Sequence, residues 1–476
     1  WVPAHGPTDF TLGACKAQAL GGGSSPNKKS RPASTTRFLP DDVVGEVLLR
    51  LPSKSLARFR SVCRSWDRLI SSSAFIETHQ ALAVAKPPTK FALVPTAPPH
   101  QWNLFPHYDV PCLECPRIIG PKPCRGGLVL LGQRCTRTYS VCNPSTGGRL
   151  RLPPCLTGYS YLSSCAGIGF HERTGEYKVV VIASPTDYRP RRCEVLTVGD
   201  PAGWRAPAGV GSCSLPASFH VQNMDPVVAN GCLHWALRGA SRVSDNHGAV
   251  LSFSLASESF RRLPLPPFTK DDVRRCFKDD SRPYAENPRK PRYIKPATPT
   301  GPVLAELAGH LRMLRDLRHR DDMDGTFEVW RLDDDEHDSS AWSLTYRVDL
   351  AEHAAKRLMT TWFVVPLCYL AGGGDGDSCD RIMLATTMQE VHVYDPRTRT
   401  LETVVSVVDA DEKATSPNLE NRTKFQQEST FSLCGRDEDL LSSKDFLRFV
   451  LFQESLVHLE GMEYGNTELE ILDARV

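Results

Sequence analysis

The most informative stretch of the chain runs from Phe38 to Leu82 and reads FLPDDVVGEVLLRLPSKSLARFRSVCRSWDRLISSSAFIETHQAL. Asp41 and Asp42 suit the first turn of a helix, because their carboxylates complement the positive end of the helix dipole. Pro52 ends that helix, since the residue before a proline is pushed out of the α region. Apolar residues recur at helical spacing on two neighbouring stripes. One stripe consists of Val43, Val47 and Leu51, and the other consists of Val44 and Leu48.

Two more short helices follow from the same kind of pattern. Ser53 or Ser55 can cap the second helix through its side-chain oxygen, and the third helix begins near Cys63 and carries Trp66. A unit of fewer than about 50 residues buries little apolar surface, and three short helices cannot enclose all the apolar side chains of this stretch. The surplus predicts contact with a partner, either another protein or the rest of the chain.

The stretch closely resembles the F-box, whose pattern is LP-x-D/E, two hydrophobic residues, and x-E-I/V-L-x-R-LP-x-K-S-L-x-R-F/C-R-x-V-C-R/K-x-W-x-x-L-I. The matching positions are Leu39, Pro40, Asp42, Val43, Val44, Glu46, Val47, Leu48, Arg50, Leu51, Pro52, Lys54, Ser55, Leu56, Arg58, Phe59, Arg60, Val62, Cys63, Arg64, Trp66, Leu69 and Ile70. Gly45 departs from the pattern, at a cost in helix propensity of about 1 kcal/mol relative to alanine. So dense a match is specific, although it covers about a tenth of the chain.

The resemblance implies a partner for this small domain. F-boxes bind a Skp-family adaptor, which connects to a cullin and a RING subunit in a ubiquitin ligase. By this resemblance, the residues that contact the adaptor or support the contact are Leu39, Pro40, Val44, Leu48, Leu51, Pro52, Leu56, Val62, Cys63 and Trp66. Periodicity does not decide which of these side chains face outward. Apolar helices laid into a groove of a partner are a known mode of recognition.

A second pattern begins at about Phe91, where short apolar runs alternate with Gly, Pro, Asn and Asp. Similar units cover residues 126–153, 167–207, 230–266, 308–350 and 380–405. Asn143 and Asp395 each precede a proline, which favours a type I turn, because the side chain bonds the backbone and proline presets φ. Such units cannot bury both faces alone, whereas radial stacking buries them.

These units predict an all-β, propeller-like domain of six blades, with an irregular β sandwich as the alternative. The extra blade is assembled from both ends of the domain, with residues 91–95 (FALVP) and 452–459 (FQESLVHL) as candidate closing strands. The region also resembles the F-box-associated domains of plant proteins. The matching features are Cys124-Arg125-Gly126-Gly127-Leu128, Asn143-Pro144-Ser145-Thr146-Gly147, Asn230-Gly231-x-x-His234-Trp235 and Glu454-Ser455-Leu456-Val457.

The whole chain is therefore expected to be an α+β multidomain protein. A disordered N-terminal tail is predicted for residues 1–36, the F-box domain for 37–85 and the propeller-like domain for 90–476. Charged insertions are predicted near residues 270–296 and 411–427, where the sequence is polar and lacks the apolar runs of the repeats.

Composition narrows the classes of protein to consider. The formal net charge of +2 gives no overall basic footprint, which argues against nucleic acid as the main ligand. No run of about 18 apolar residues predicts a membrane span. The 16 cysteines, with no visible secretory signal, predict an intracellular protein with unpaired thiols, in the nucleus, the cytoplasm or both.

No cofactor, metal or catalytic residue is predicted. Cys112 and Cys115 have the spacing of zinc ligands, but Cys124 and Cys135 are too far apart to form the second close pair. Residues 333–336 (DDDE) and 375–377 (DGD) are interpreted as solvated turns, and the second lacks the later acidic ligands of a calcium loop. The motifs of hydrolases, zinc proteases and kinases are absent from the sequence.

The sequence thus favours an interaction protein, namely the substrate-recognition subunit of a Skp-cullin-F-box ubiquitin ligase. Holding a target protein near a ubiquitin-charged enzyme raises its effective concentration, so this chain needs no catalytic residue. The first alternative is an F-box protein whose partners are not degraded. The second is an enzyme with its chemistry in the channel of a propeller. The residues that contact a target protein are not predicted.

Overall fold

The computed structural model describes residues 41–84, 90–95, 117–133, 138–155, 164–183, 192–209, 219–220, 225–239, 249–266, 303–317, 326–333, 341–350, 358, 364–370, 381–386, 390–406, 447–464 and 470–473. The predicted N-terminal tail, Leu39 and Pro40, and both predicted charged insertions lie outside these residues.

Four short helices occupy the F-box region, where the sequence predicted three. They are α1 (Asp41–Leu49), α2 (Ser53–Phe59), α3 (Arg64–Ile70) and α4 (Ser73–Val84). The additional helix, α4, follows a serine turn in which Ser72 Oγ accepts a hydrogen bond from the amide of Phe75. Phe75 and His79 are both buried on one face of α4, four residues apart, so packing against the other helices stabilises a segment with little helical pattern of its own.

The side-chain cap predicted for α2 is wrong. Pro52 occupies the N-cap position, and no side-chain oxygen of α2 or its N-cap bonds the first turn. The amide of Ser53 instead donates a hydrogen bond to Glu454 Oε2 at 3.0 Å. A carboxylate from the other end of the chain therefore does what the local serine was expected to do.

Apart from one 3-10 turn at Arg125–Gly127, the remaining described elements are strands. In chain order they are β1 (Lys90–Pro95), β2 (Arg117–Cys124), β3 (Leu128–Gln133), β4 (Thr138–Asn143), β5 (Gly148–Arg151), β6 (Ser164–His171), β7 (Glu176–Ala183), β8 (Arg192–Thr197), β9 (Phe219–His220), β10 (Val227–Ala229), β11 (Cys232–Gly239), β12 (Ala249–Ser254), β13 (Phe260–Leu263), β14 (Val303–Leu307), β15 (His310–Asp316), β16 (Thr326–Asp333), β17 (Ala341–Asp349), β18 (Val364–Leu370), β19 (Arg381–Thr386), β20 (Glu390–Asp395), β21 (Thr400–Ser406), β22 (Leu447–Leu451), β23 (Glu463–Tyr464) and β24 (Glu470–Asp473).

The described strands form six antiparallel sheets. Their strand orders are β2-β3-β4-β5-β23 (sheet 1), β6-β7-β8 (sheet 2), β10-β11-β12-β13 with β9 beside β11 (sheet 3), β14-β15-β16-β17 (sheet 4), β18-β19-β20-β21 (sheet 5) and β22-β1-β24 (sheet 6). Consecutive strands pair within each of the first five sheets, as expected for units that repeat along the chain.

Apolar cores between neighbouring sheets join the six sheets into a ring. Alternate residues of one strand face different neighbours, as Val179 packs with sheet 1 and Val180 with Trp235 of sheet 3. Further cores join sheet 3 to sheet 4, sheet 4 to sheet 5, and sheet 5 to sheet 6. The last core joins sheet 6 to sheet 1 through Val450 and Val129. The predicted β propeller is confirmed, and a sandwich does not describe this arrangement.

Sheet 6 combines both ends of the propeller domain. The prediction that residues 91–95 close the ring is confirmed, because Phe91 of β1 pairs with Leu451 of β22 and with Leu472 of β24. The same prediction for residues 452–459 is wrong. These residues follow β22 without forming a strand, and side chains of sheet 1 bond their backbone groups.

Candidate adaptor-binding surface and F-box junction

The two apolar stripes of α1 face different surroundings. Val44 is half-buried and Leu48 is 2% exposed, so this stripe packs into the core of the F-box. Val43 and Val47 are 43% and 52% exposed. Two valines one helical turn apart therefore form an uncovered apolar surface on α1.

The residues assigned to the adaptor interface by resemblance divide in a similar way. Val62 is 59% exposed and Pro52 is also exposed. Leu48 and Leu56 are buried in the helical core, where they would support the surface without touching a partner. The half-buried members of the set are Val44, Leu51, Cys63 and Trp66, and Leu39 and Pro40 lie outside the described residues. The sequence pattern alone did not single out Val43 and Val47, because it does not show which stripe is covered.

The core of the F-box contains a side chain from the far end of the chain. Leu456 is 7% exposed and packs with the buried F-box residues Leu48, Leu56, Leu69, Ile70 and Phe75. It belongs to residues 452–464, which we call the clasp segment. The apolar surplus read from the sequence is thus covered in part by the same polypeptide.

Glu454 of the clasp segment joins three parts of the molecule. Its Oε2 accepts the hydrogen bond from the amide of Ser53, at the positive end of α2. Its Oε1 accepts a hydrogen bond from Lys90 Nζ at 2.7 Å, and Lys90 is the first residue of the closing strand β1. Burial alone would raise the pKa of Glu454, but the hydrogen bonds from Lys90 and Ser53 outweigh it and hold the pKa below its ordinary value.

A third contact lies at the end of the clasp segment. Arg60 Nη1 donates a hydrogen bond to the hydroxyl of Tyr464 at 3.0 Å, while Arg60 Nε bonds Asp67 Oδ1 within the F-box at 2.8 Å. The ring of Tyr464 stacks on His458 with 5.4 Å between the ring centroids. Burial, followed by the nearby charge of Arg60, lowers the pKa of His458.

The clasp segment is held on its other side by the β4–β5 turn of sheet 1. Asn143 Nδ2 donates hydrogen bonds to the carbonyl oxygens of Ser455 and Val457, at 3.2 and 2.8 Å. The hydroxyl of Ser145 accepts a hydrogen bond from the amide of Ser455 at 2.9 Å. Asn143 Oδ1 in turn accepts the amide hydrogen of Ser145, which closes the turn itself. Side chains thus satisfy backbone groups that would otherwise need a neighbouring strand.

Two glycines make room for the clasp segment at the end of β2. Gly126 and Gly127 have φ values of +77° and +68°, a conformation that other residues rarely adopt. A Cβ atom on Gly127 would lie 2.7 Å from the carbonyl oxygen of Gln453. One on Gly126 would lie 2.9 Å from Cγ2 of Val457. The backbones therefore approach more closely here than side chains would allow.

Three of the four short patterns that carry the resemblance to F-box-associated domains meet at this junction. They are the segments at residues 124–128, 143–147 and 454–457. The fourth lies between β10 and β11, where Asn230 and Gly231 both have positive φ and form a tight turn. Trp235, which follows it, is fully buried between sheets 2 and 3.

The centre of the ring contains a cavity of about 210 Å³, lined mainly by the strands that begin the first five sheets. Its main charged feature is an ion pair between Lys122 Nζ and Glu306 Oε2 at 2.6 Å. Burial raises the pKa of the Cys124 thiol in the lining to about 12, and that of Cys368, which follows the lining residue Leu367, to about 11, so neither is poised as a nucleophile. Among the lining residues that the structure describes, no nucleophile lies beside a base.

Potential metal ligands do not cluster in the part of the chain that the structure describes. Within the residues it describes, no group of three or more histidine, cysteine, aspartate or glutamate side chains is suited to bind one. Cys124 is buried in an apolar core. The other cysteines considered for zinc, Cys112, Cys115 and Cys135, lie outside the described residues, as do residues 334–336 and 375–377. The helices of the described part of the chain are all too short or too polar to cross a membrane.

Comparison with known families agrees with both domains. Residues 38–78 match the model of the F-box domain, and residues 92–279 match the model of the F-box associated beta propeller domain. This is a plant-type F-box protein with a propeller domain. Its clasp segment lies beyond both matched ranges.

Relatives of this F-box protein occur in Arabidopsis thaliana. One F-box protein is 27% identical over 251 residues, which is 49% of this chain and 76% of the relative. A second is 31% identical over 263 residues, or 48% of this chain, and the match spans 60% of its length. The solved structure of PQQ-bound aldose sugar dehydrogenase from Streptomyces coelicolor is 13% identical, over 68% of this chain and 88% of that chain. Its TM-score of 0.30 is too low to carry any argument.

Proposed function

We propose that this F-box protein is the non-catalytic substrate-recognition subunit of a Skp-cullin-F-box ubiquitin ligase. The F-box binds a Skp-family adaptor, and through it the cullin and RING subunits. The propeller binds the target protein. Such a subunit works in the nucleus, the cytoplasm or both, where the other ligase subunits are found.

One observation carries the adaptor half of this proposal. The F-box buries its core and still exposes Val43, Val47 and Val62, although it is already packed against the propeller. Exposed apolar side chains that cluster on one surface mark sites of interaction with other molecules, and Val43 and Val47 lie one helical turn apart on α1. By resemblance to other F-boxes, Leu39 and Pro40 belong to the same surface.

The propeller suits the role of target receptor for a physical reason. Its six sheets support one another through continuous apolar cores, so the connections at their ends start from a rigid frame. A bound target would stay near the ubiquitin-charged enzyme, and the gain in rate comes from effective concentration.

A pull-down with a purified Skp-family adaptor tests the first step. The intact chain is compared with a Val47→Lys, Val62→Lys double variant, and with Leu344→Lys as a matched control. Leu344 is 38% exposed and lies on β17 of the propeller, away from the F-box. We expect the intact chain and the control to bind, and the double variant to lose binding at least tenfold. Failure of the folded, intact chain to bind would overturn the proposal.

A reconstituted ubiquitination assay separates this function from that of an F-box protein whose partners are not degraded. Proteins captured by the propeller are supplied with the adaptor, the cullin, the RING subunit and a ubiquitin-charged enzyme. We expect ubiquitin transfer that depends on the intact F-box. Captured partners that bind stably and never receive ubiquitin would support the non-degradative alternative.

A further inference from the structure

We infer that the clasp segment is a structural part of the F-box and holds it in one orientation on the propeller. Leu456 and Glu454 are the positioning residues in this arrangement. The consequence of this inference is that the adaptor-binding and target-binding surfaces share one rigid frame, and that consequence rests on the proposed function. The physical claim about the junction can be tested without any partner.

The first argument is the composition of the F-box core. The four short helices contribute only a handful of buried apolar side chains to their core, and Leu456 adds one more. In so small a domain each buried leucine is a large part of the core. The F-box of this protein is therefore completed by a residue that follows β22 of the propeller.

The second argument concerns the first turn of α2. This turn has no local side-chain cap, and Glu454 supplies the oxygen that accepts the Ser53 amide hydrogen. The same carboxylate holds Lys90, the first residue of β1 after the F-box. Glu454 thus bonds the F-box and the start of the propeller at the same time, so a relative movement of the two would break one of these contacts.

The third argument is that the clasp segment is itself immobilised on sheet 1. Asn143 and Ser145 bond its backbone, and Gly127 allows it to lie directly against the turn that follows β2. Further along, β23 pairs with β5 as the outermost strand of that sheet. The F-box is therefore attached to the propeller both by the chain between α4 and β1 and by a segment that is anchored on both sides.

This arrangement has a consequence for ligase geometry. A freely hinged F-box would let a target sample many positions relative to the ubiquitin-charged enzyme, which lowers the effective concentration. A clasped F-box restricts the target to a narrower set of positions, at a distance set by the propeller. Residues 454–457 then influence ubiquitin transfer without contacting either the adaptor or the target.

Hydrogen exchange of the full-length chain tests the inference directly. Leu456→Ala and Glu454→Gln are compared with the unchanged protein and with Glu460→Gln, whose side chain is exposed on the same segment. We expect exchange in α2 and α3 to rise at least tenfold in the first two variants, while β7 and β11 stay protected. We expect the control to match the unchanged protein. Faster exchange confined to β4 and β5, with an unchanged F-box, would overturn the inference, because the clasp would then only brace the propeller.

Small-angle X-ray scattering supplies a readout that a loss of local stability would not by itself move. We expect the radius of gyration to increase in Glu454→Gln, which keeps the size of the side chain, and to stay constant in Glu460→Gln. An unchanged radius in Glu454→Gln and in Leu456→Ala would contradict a positioning role. Adaptor binding is measured in parallel. If the unchanged protein does not bind the adaptor, the proposed ligase function fails, and this result does not depend on how the clasp segment behaves.

Discussion

The carboxylate of Glu454 lies 3.0 Å from the backbone nitrogen of Ser53, although 401 positions separate the two residues in the chain. The contact joins the first turn of the F-box helix α2 to the clasp segment, which follows β22 of the propeller. It makes the two domains interdependent, since neither the helix cap nor the clasp is complete alone.

The F-box should loosen in acid before the propeller does. The pKa of Glu454 is below its ordinary value in the folded protein, so its contribution is present above the unfolded-state pKa and is lost as pH falls through the folded one. Loss of this cap costs on the order of 1 kcal/mol. Hydrogen exchange of α2 between pH 7 and pH 3, corrected for the intrinsic exchange rate, measures the effect. Glu454→Gln should abolish this pH dependence, and its persistence in that variant would exclude Glu454 as the source.

Gly127→Ala should displace the clasp segment. Both Gly127 and Gly175 have positive φ, at +68° and +71°, so alanine strains the backbone by roughly 1–2 kcal/mol at either position. Only at Gly127 does the new methyl group meet backbone, because nothing lies within 4 Å of a Cβ on Gly175. We expect Gly127→Ala to destabilise the protein more than Gly175→Ala in denaturant unfolding, by roughly a further 1–3 kcal/mol. Equal effects of the two substitutions would show that the close approach is unimportant.

Local patterns account for much of what the sequence predicted correctly. Apolar periodicity and Pro52 defined α1 and the start of α2, and the repeated strand-and-turn units indicated a propeller. The closing strand at residues 91–95 followed from the expectation that the extra blade is assembled from both ends of the domain. Each of these predictions depended on residues close together in the chain.

The contact between the clasp segment and the F-box could not be predicted from local patterns. Residues 452–459 are apolar enough to resemble a strand, yet Asn143 and Ser145 satisfy their backbone groups, and these partners are more than 300 residues away. The resemblance did identify the Glu454–Val457 pattern as a family feature. Periodicity gave it no role, because its partner helix lies in the other domain.

Glu258 should be one of the largest single contributors to the stability of the propeller. It is buried at the contact between sheets 2 and 3, where it accepts hydrogen bonds from Lys178 and from both terminal nitrogens of Arg205. The hydrogen bonds from Arg205, and then those from Lys178, lower its pKa to about 2 against the unfavourable effect of burial. The stabilisation that Glu258 gives the folded protein is therefore complete above the ordinary carboxylate pKa and disappears as pH falls toward 2.

Glu258→Gln should accordingly lower the free energy of unfolding by on the order of 3 kcal/mol at pH 7, because Lys178 is left buried beside a neutral group. Glu172→Gln is the matched control, since Glu172 pairs with Arg125 on the surface and should contribute less than about 1 kcal/mol. Denaturant unfolding at pH 7 and pH 3 measures both variants. A similar small loss for the two variants at pH 7 would contradict the central role of the buried network.

The β4–β5 turn of sheet 1 and the similar β20–β21 turn of sheet 5 together test how the clasp segment is held. Asn143 and Asp395 both accept the amide hydrogen of the residue two positions on. Asn143 also donates from Nδ2 to the carbonyl oxygens of Ser455 and Val457, and it is fully buried. Asn143→Asp keeps the shape of the side chain and replaces this donor with an oxygen that faces two other oxygens.

We expect Asn143→Asp to cost about 2–4 kcal/mol, because it leaves buried carbonyl groups without a donor and places a charge among them. Asp395→Asn should change stability by less than about 0.5 kcal/mol, because Asp395 is only half-buried and the amide oxygen still accepts the hydrogen bond that closes the turn. Denaturant unfolding gives both values, and hydrogen exchange shows where the structure opens. If Asn143→Asp loosened sheet 1 but left α2 protected, the contacts of Leu456 and Glu454 would hold the clasp segment on the F-box without help from Asn143.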